Sequence, residues 1–181
     1  MLNAYQDGYP DLAQRKFKGY IRFNPYQEYT KTLEYIFGNN LEQVKKITVK
    51  DFTFTDMNNL EKRLSDYSGK VVFISFWASW CGPCIKGFKD THFTRKELER
   101  MGVVFLNVSI DQRESDWRRM IPRVQVPGEH VYALDVTAFQ KQMGFTTIPF
   151  YALIDKFGRL NYMSTDDLNS SKEDFMALLR E

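Results

Sequence analysis

Val71-Val72-Phe73-Ile74-Ser75-Phe76-Trp77-Ala78-Ser79-Trp80-Cys81-Gly82-Pro83-Cys84 carries both cysteines of the chain, and its reading decides the fold. Residues 71 to 77 form a nearly continuous apolar run, as expected of a central strand buried on both faces. Two thiols at C-x-x-C spacing follow, and from Cys81 to about Arg100 the pattern turns helical. A strand that hands two thiols to the first turn of a helix suits disulfide exchange. Helix amides and the macrodipole stabilise a thiolate at the N-terminus, and the thiolate is the species that attacks a disulfide. Cys81, at the N-cap end, is predicted to have the more exposed and more acidic sulfur and to act as nucleophile. Cys84, inside the first turn, is predicted to be more buried and to act as resolving thiol. Pro83 suits a first helical turn, where its missing N–H costs nothing. Gly82 leaves the approach of a partner sulfur open, and Trp80 is predicted to cover one edge of the site.

Other uses of the motif fit less well. A structural zinc ion needs four ligands, and only His92 and His130 remain to complete a set. Haem attachment requires His at the position held by Ile85. An inert pair of core cysteines is a bland alternative, against which stands the Gly-Pro at a strand–helix junction.

The chain has 181 residues, 43% of them hydrophobic and 15% aromatic, enough for one domain with a core plus an appendage. A net charge of +2 with acids and bases intermixed is no nucleic-acid footprint. No apolar stretch is long enough to span a bilayer, and Met1-Leu2-Asn3-Ala4-Tyr5 lacks the basic start and hydrophobic run of a signal peptide. The expectation is therefore a cytoplasmic protein, or a mature or truncated form of a longer one. A single pair of cysteines leaves the redox compartment open.

Two regions are expected. Residues 1–46 read as an N-terminal helical extension or the remnant of a preceding domain, with Tyr29, Leu33, Ile36, Phe37, Leu41 and Val44 at broadly helical spacing. Residues 47–181 read as the main domain. Strands are predicted at 49–55, 71–77, 103–108, 130–133, 150–154 and 160–163, with residues 60–64 pairing back on the first. Helices are predicted at 81–100, 114–121 and 137–143, the last ended by Gly144, with a loop from Arg123 to Gly128. A final helix starts near Ser170-Ser171-Lys172-Glu173 and packs through Phe175, Leu178 and Leu179. Buried strands alternating with helices imply a three-layer α/β sandwich.

Phe76-Trp77-Ala78-Ser79-Trp80-Cys81-Gly82-Pro83-Cys84, Ser65 to Val72, Thr147-Ile148-Pro149 and Ile154-Asp155-Lys156-Phe157-Gly158-Arg159 together resemble the thioredoxin superfamily. Within it they resemble the envelope-associated thiol–disulfide oxidoreductases of the TlpA/ResA type, over about residues 50 to 180. The resemblance implies a thioredoxin-like α/β/α sandwich with a central mixed sheet. It also implies a cis Ile148–Pro149 bond beside the cysteines, where the Ile148 backbone can pair with an extended substrate segment. It makes Trp80, Gly82, Pro83, Ile148 and Pro149 the substrate-binding residues. No cofactor or metal beyond the Cys81/Cys84 pair is implied. The implied partners are protein or peptide disulfides and an upstream thiol donor, in the periplasm or cell envelope, with the membrane reached only through an anchor outside this chain. Gly-Pro between the cysteines resembles the reducing thioredoxins more than the strong oxidants, implying a reductant.

The chain departs from the family in three places. The buried acid often found six residues before the first cysteine is Ser75, a common glutamate is Gly87, and a common helix proline is Lys89, which predicts a straighter active-site helix. Asp111 is the candidate proton acceptor, with an ordinary loop or N-cap role as its alternative and Glu114 a weaker choice. His92 lies too far along the helix for direct contact, and His130 is expected at the sheet edge without a task. A peroxidase-like thiol enzyme, which would need a T-x-x-C context, and a thioredoxin-fold binding or chaperone module are the rival readings.

Overall fold

The computed structural model describes residues 49–165 and Leu168. The predicted N-terminal extension and the final helix lie outside the described residues.

Seven strands form one mixed sheet in the order β2-β1-β5-β4-β3-β6-β7. They are β1 (Thr53–Asp56), β2 (Glu61–Arg63), β3 (Val72–Trp77), β4 (Val104–Ser109), β5 (Glu129–Ala133), β6 (Phe150–Ile154) and β7 (Leu160–Ser164). β3, β4 and β5 run parallel; β1 opposes β2 and β5, and β6 opposes β3 and β7. The helices are α1 (Gly82–Asp90), α2 (His92–Arg100), α3 (Glu114–Val124) and α4 (Val136–Met143).

The apolar run behaves as its composition demands, since every residue of β3 is buried. Side chains alternate across a strand, so one face of β3 presents Phe73, Ser75 and Trp77 and the other Val72, Ile74 and Phe76. Trp77 meets Phe88 of α1 edge-on at 5.4 Å, and with Trp117 of α3 they share one core cluster. Across the sheet, Phe139 of α4 packs on Phe52, Phe54 and Phe76. Burying each such ring contributes about 1.5–3 kcal/mol. Helices thus cover both faces, giving the thioredoxin-like three-layer sandwich.

Three expectations need correction. The active-site helix is broken rather than straighter: α1 ends at Thr91, and α2 starts at His92. The Thr91 hydroxyl donates to the Gly87 carbonyl at 2.7 Å, a back-bond that bends a helix without proline. α3 runs through Pro122 to Val124 instead of stopping at Ile121. Proline removes only one late hydrogen bond there, and Trp117 and Val124 keep the helix face buried until Gln125 closes it in a left-handed conformation. β1 begins at Thr53 rather than Val49, because the Asp51 carboxylate caps Ser65 and Val49 bonds to Gly158.

His130 lies not at the sheet edge but in β5, between β1 and β4. Its Nε2 donates to the Val126 carbonyl at 3.1 Å, while Nδ1 is buried with no partner among the described residues. Burial lowers its pKa below the ordinary 6.5, the Val126 bond works in the opposite sense, and the Arg95 charge lowers it further. A folded pKa below the unfolded value means stability that is complete above about pH 6.5 and lost as pH falls through the window beneath it. Denaturant midpoints measured across that window should fall for the native chain and flatten in His130→Gln.

Candidate functional site

At the carboxyl end of β3 the chain leaves the sheet and enters α1 through Cys81, the helix N-cap. The Cys81 N–H donates to the Ala78 carbonyl and the Ile85 N–H to the Cys81 carbonyl, so the turn is tied on both sides. The Cys84 N–H donates to the Cys81 Sγ at 3.2 Å. That sulfur therefore receives one of the orphan amides of the helix N-terminus, where negative charge is most stabilised. No acid occupies the first turn to compete, and Lys89 sits in the last. Pro83 falls in the first turn, and a side chain at Gly82 would meet open space.

Cys81 and Cys84 are joined as a disulfide with their Cα atoms 5.3 Å apart. Cys81 is 4% exposed and Cys84 1%. Cys81 is thus marginally the less buried of the two, and both are withdrawn from solvent. In the oxidised pair the Cys81 side chain packs into the cluster of Trp77, Ala78, Phe88 and Trp117. Trp80, by contrast, is 68% exposed and stands beside the pair.

The Ile148–Pro149 peptide is cis, and Ile148 packs against the cysteine-bearing cluster. The loop 145–148 and Trp80 line a groove of about 630 Å3 together with Ile110, Val136 and Gln140. Among the described residues no charged side chain lines it.

Asp111 follows β4, whose register sets Ser109 opposite Trp77. Its carboxylate accepts from the Ser79 N–H at 3.0 Å, the Ser79 hydroxyl at 2.7 Å and the Ser109 hydroxyl at 2.8 Å. The Tyr132 hydroxyl donates to its carbonyl. Asp111 thus clamps the loop that precedes Cys81. Glu114 faces away, paired with Arg118. His92 stacks its ring edge on Phe93 at the start of α2.

Sequence reasoning missed Arg95. It is 1% exposed, on α2 beneath the site. Its guanidinium donates to Ser75 Oγ at 2.9 Å, Asn107 Oδ1 at 3.0 Å and Thr91 Oγ1 at 3.1 Å. The rings of Phe73, Phe88 and Phe105 lie within 4.9–5.6 Å of its carbon. Desolvation lowers its pKa to about 10, so it stays charged at neutral pH. A signal was available: Cys84, Phe88, Thr91, Arg95 and Leu98 are buried at alternating spacings of four and three, which places an arginine on the apolar stripe.

Fold and site together define a thioredoxin-fold protein with a redox-active C-x-x-C pair, a thiol–disulfide oxidoreductase. The redoxin pattern matches residues 45–179, and the chain belongs to the redoxin family. It is 28% identical over 127 residues to the thiol-disulfide oxidoreductase ResA of Geobacillus thermodenitrificans, an alignment covering 70% of this chain and 71% of that protein. With the ResA of Bacillus subtilis it is 36% identical over 62 residues, 34% of this chain and 35% of that one. Among solved structures, the thioredoxin domain of a thiol-disulfide oxidoreductase from Bacteroides vulgatus superposes with a TM-score of 0.65 at 25% identity, over 72% of this chain and 96% of that one. The pneumococcal exposed lipoprotein thioredoxin of Streptococcus pneumoniae superposes at 0.61 with 26% identity, over 71% and 100%.

Removing the Asp111 carboxylate leaves three buried or half-buried donors unsatisfied. Asp111→Ala should cost about 3 kcal/mol of stability, read as a lower denaturant midpoint, with Asp111→Asn losing less because one acceptor oxygen survives.

Proposed function

We propose that this chain reduces disulfides of proteins or peptides, drawing electrons from an upstream thiol donor in the cell envelope. The observation that carries the reading is the Cys84 amide placed on the Cys81 sulfur at the N-terminus of α1, next to an uncharged groove. The Cys81 thiolate attacks a substrate disulfide, forming a mixed disulfide and releasing one substrate thiolate. Cys84 loses its proton and attacks the Cys81 sulfur. The bond to the substrate breaks, the second substrate thiolate leaves, and two electrons have passed to the substrate while Cys81–Cys84 closes.

The other residues take supporting roles. Trp80 and the Ile148–Pro149 segment offer the substrate an apolar edge and backbone groups for an added strand. Gly82 and Pro83 are exposed beside Cys81, where a substrate segment can contact them, and a Cβ at Gly82 would meet open space. Asp111 acts as a positioning residue through Ser79 rather than as proton acceptor, because both of its carboxylate oxygens are already engaged. The Cys84 proton then leaves to water. An envelope location is supported by the kinship with ResA proteins and an exposed lipoprotein thioredoxin. Among the described residues no helix is long and apolar enough to cross a membrane.

Replacing the resolving thiol separates the two half-reactions. Cys84→Ala should accumulate a mixed disulfide through Cys81, visible as a dithiothreitol-sensitive adduct, and lose insulin reduction by at least about a hundredfold. Cys81→Ser should form no adduct. Adducts of equal yield in both variants would defeat the assignment.

A further inference from the structure

A buried guanidinium without a carboxylate partner needs an account. Among the described residues Arg95 has no carboxylate within ion-pair distance, and its hydrogen-bond acceptors are neutral: the Ser75 and Thr91 hydroxyls and the Asn107 amide oxygen. Such a charge is costly to desolvate, and its field is weakly screened. Its location is specific. Ser75 and Trp77 share one face of β3, and Trp77 contacts Phe88. Phe88 lies one helical turn beyond Cys84, in the same packed cluster, and the Arg95 guanidinium lies on its ring at 5.1 Å. The Phe88 ring therefore touches the Arg95 guanidinium on one side and shares a buried cluster with Cys84 on the other.

We propose that Arg95 is a positioning residue for exchange chemistry whose field stabilises the Cys84 thiolate and so promotes the resolving step. The inference rests on the disulfide-exchange reading. In the step concerned, the Cys84 S–H gives its proton to solvent, the thiolate attacks the Cys81 sulfur of the mixed disulfide, the Cys81–Cys84 bond forms and the substrate thiolate departs. No further oxidant or base is required. An acid at the Ser75 position would work in the opposite sense, holding the Cys84 proton in place until it is taken up.

Other charged and titratable groups near this layer are accounted for. Glu99 on α2 and Tyr151 on β6 sense the Arg95 charge, as does His130 on β5. On α1, Lys86 pairs with Asp90 at the exposed surface and Lys89 lies at the far end. Asp111 is bound to Ser79 and Ser109, Tyr132 to the Asp111 carbonyl, and on α3 Asp116 pairs with Arg113 and Arg119, beside Arg123.

The test is a thiolate-absorbance titration of the fully reduced protein, with the redox equilibrium against glutathione measured in parallel. The pair titrates in two macroscopic steps, and Arg95→Met should raise the upper one by about one pH unit, while Arg95→Lys should keep most of the native profile. Arg95→Gln removes the charge while keeping an amide donor for the Ser75 and Asn107 oxygens, and should raise the upper step in the same direction even if Arg95→Met fails to fold. Ser75→Ala, which removes a hydroxyl and no charge, should leave it nearly unmoved. Measured above the upper step, where Cys84 is ionised in the reduced protein, Arg95→Met and Arg95→Gln should be stronger reductants by up to about tenfold in the glutathione equilibrium constant, whereas at a pH below that step, where Cys84 is protonated, the constant should stay close to native. An upper step unchanged in folded Arg95→Met or Arg95→Gln, or shifted equally in Ser75→Ala, overturns the proposal. The titration needs no disulfide substrate, so its outcome is independent of whether the native chain reduces insulin.

Discussion

A strand buried on both faces can offer reactive groups only where it leaves the sheet, and this constraint organises the molecule. All six residues of β3 are withdrawn from solvent, so the carboxyl end is its one outlet for chemistry. The parallel register with β4 brings Ser109 level with Trp77. Asp111, two residues on, then reaches back to Ser79 and holds the departing chain in place. The helix that follows starts with its N-terminal amide on a sulfur, the Cys81 N–H being tied back to the Ala78 carbonyl.

Much of this was legible in the residues. The apolar run at 71–77 announced a central strand, the C-x-x-C with its proline announced a helix start, and Asp135 and Gly144 bracket α4 as cap residues should. The Ile148–Pro149 bond followed from family likeness rather than from local preference, which favours trans. Less visible was whatever depends on tertiary partners. The bend at Thr91 comes from a hydroxyl shared between the Gly87 carbonyl and Arg95, and nothing in the local composition breaks a helix there. The helix expected to end at Ile121 continues through Pro122 to Val124 because its buried face extends further. Asp111 was noticed for its place on the sheet edge, but only coordinates show that its oxygens are spoken for.

The electrostatic character of the layer under α1 also differs from what the family likeness suggested. The expectation concerned a missing negative charge at Ser75. The structure adds a positive one, seated among Phe73, Phe88 and Phe105 and tethered by three neutral acceptors. Aromatic faces offset part of the desolvation of a guanidinium, which its flat, weakly hydrated shape favours over an ammonium. Helix dipole above and guanidinium below thus act on the sulfur pair with the same sign.

Gly87 lies on α1 facing β6, and a Cβ built there would come within 3.2 Å of the Tyr151 hydroxyl. The absence of a side chain lets α1 settle onto the tyrosine on β6. A side chain at position 87 would press on the tip of the Tyr151 phenol, which would have to give by about a few tenths of an ångström, so the seat of the helix that carries the sulfurs is set in part by a ring on the neighbouring strand.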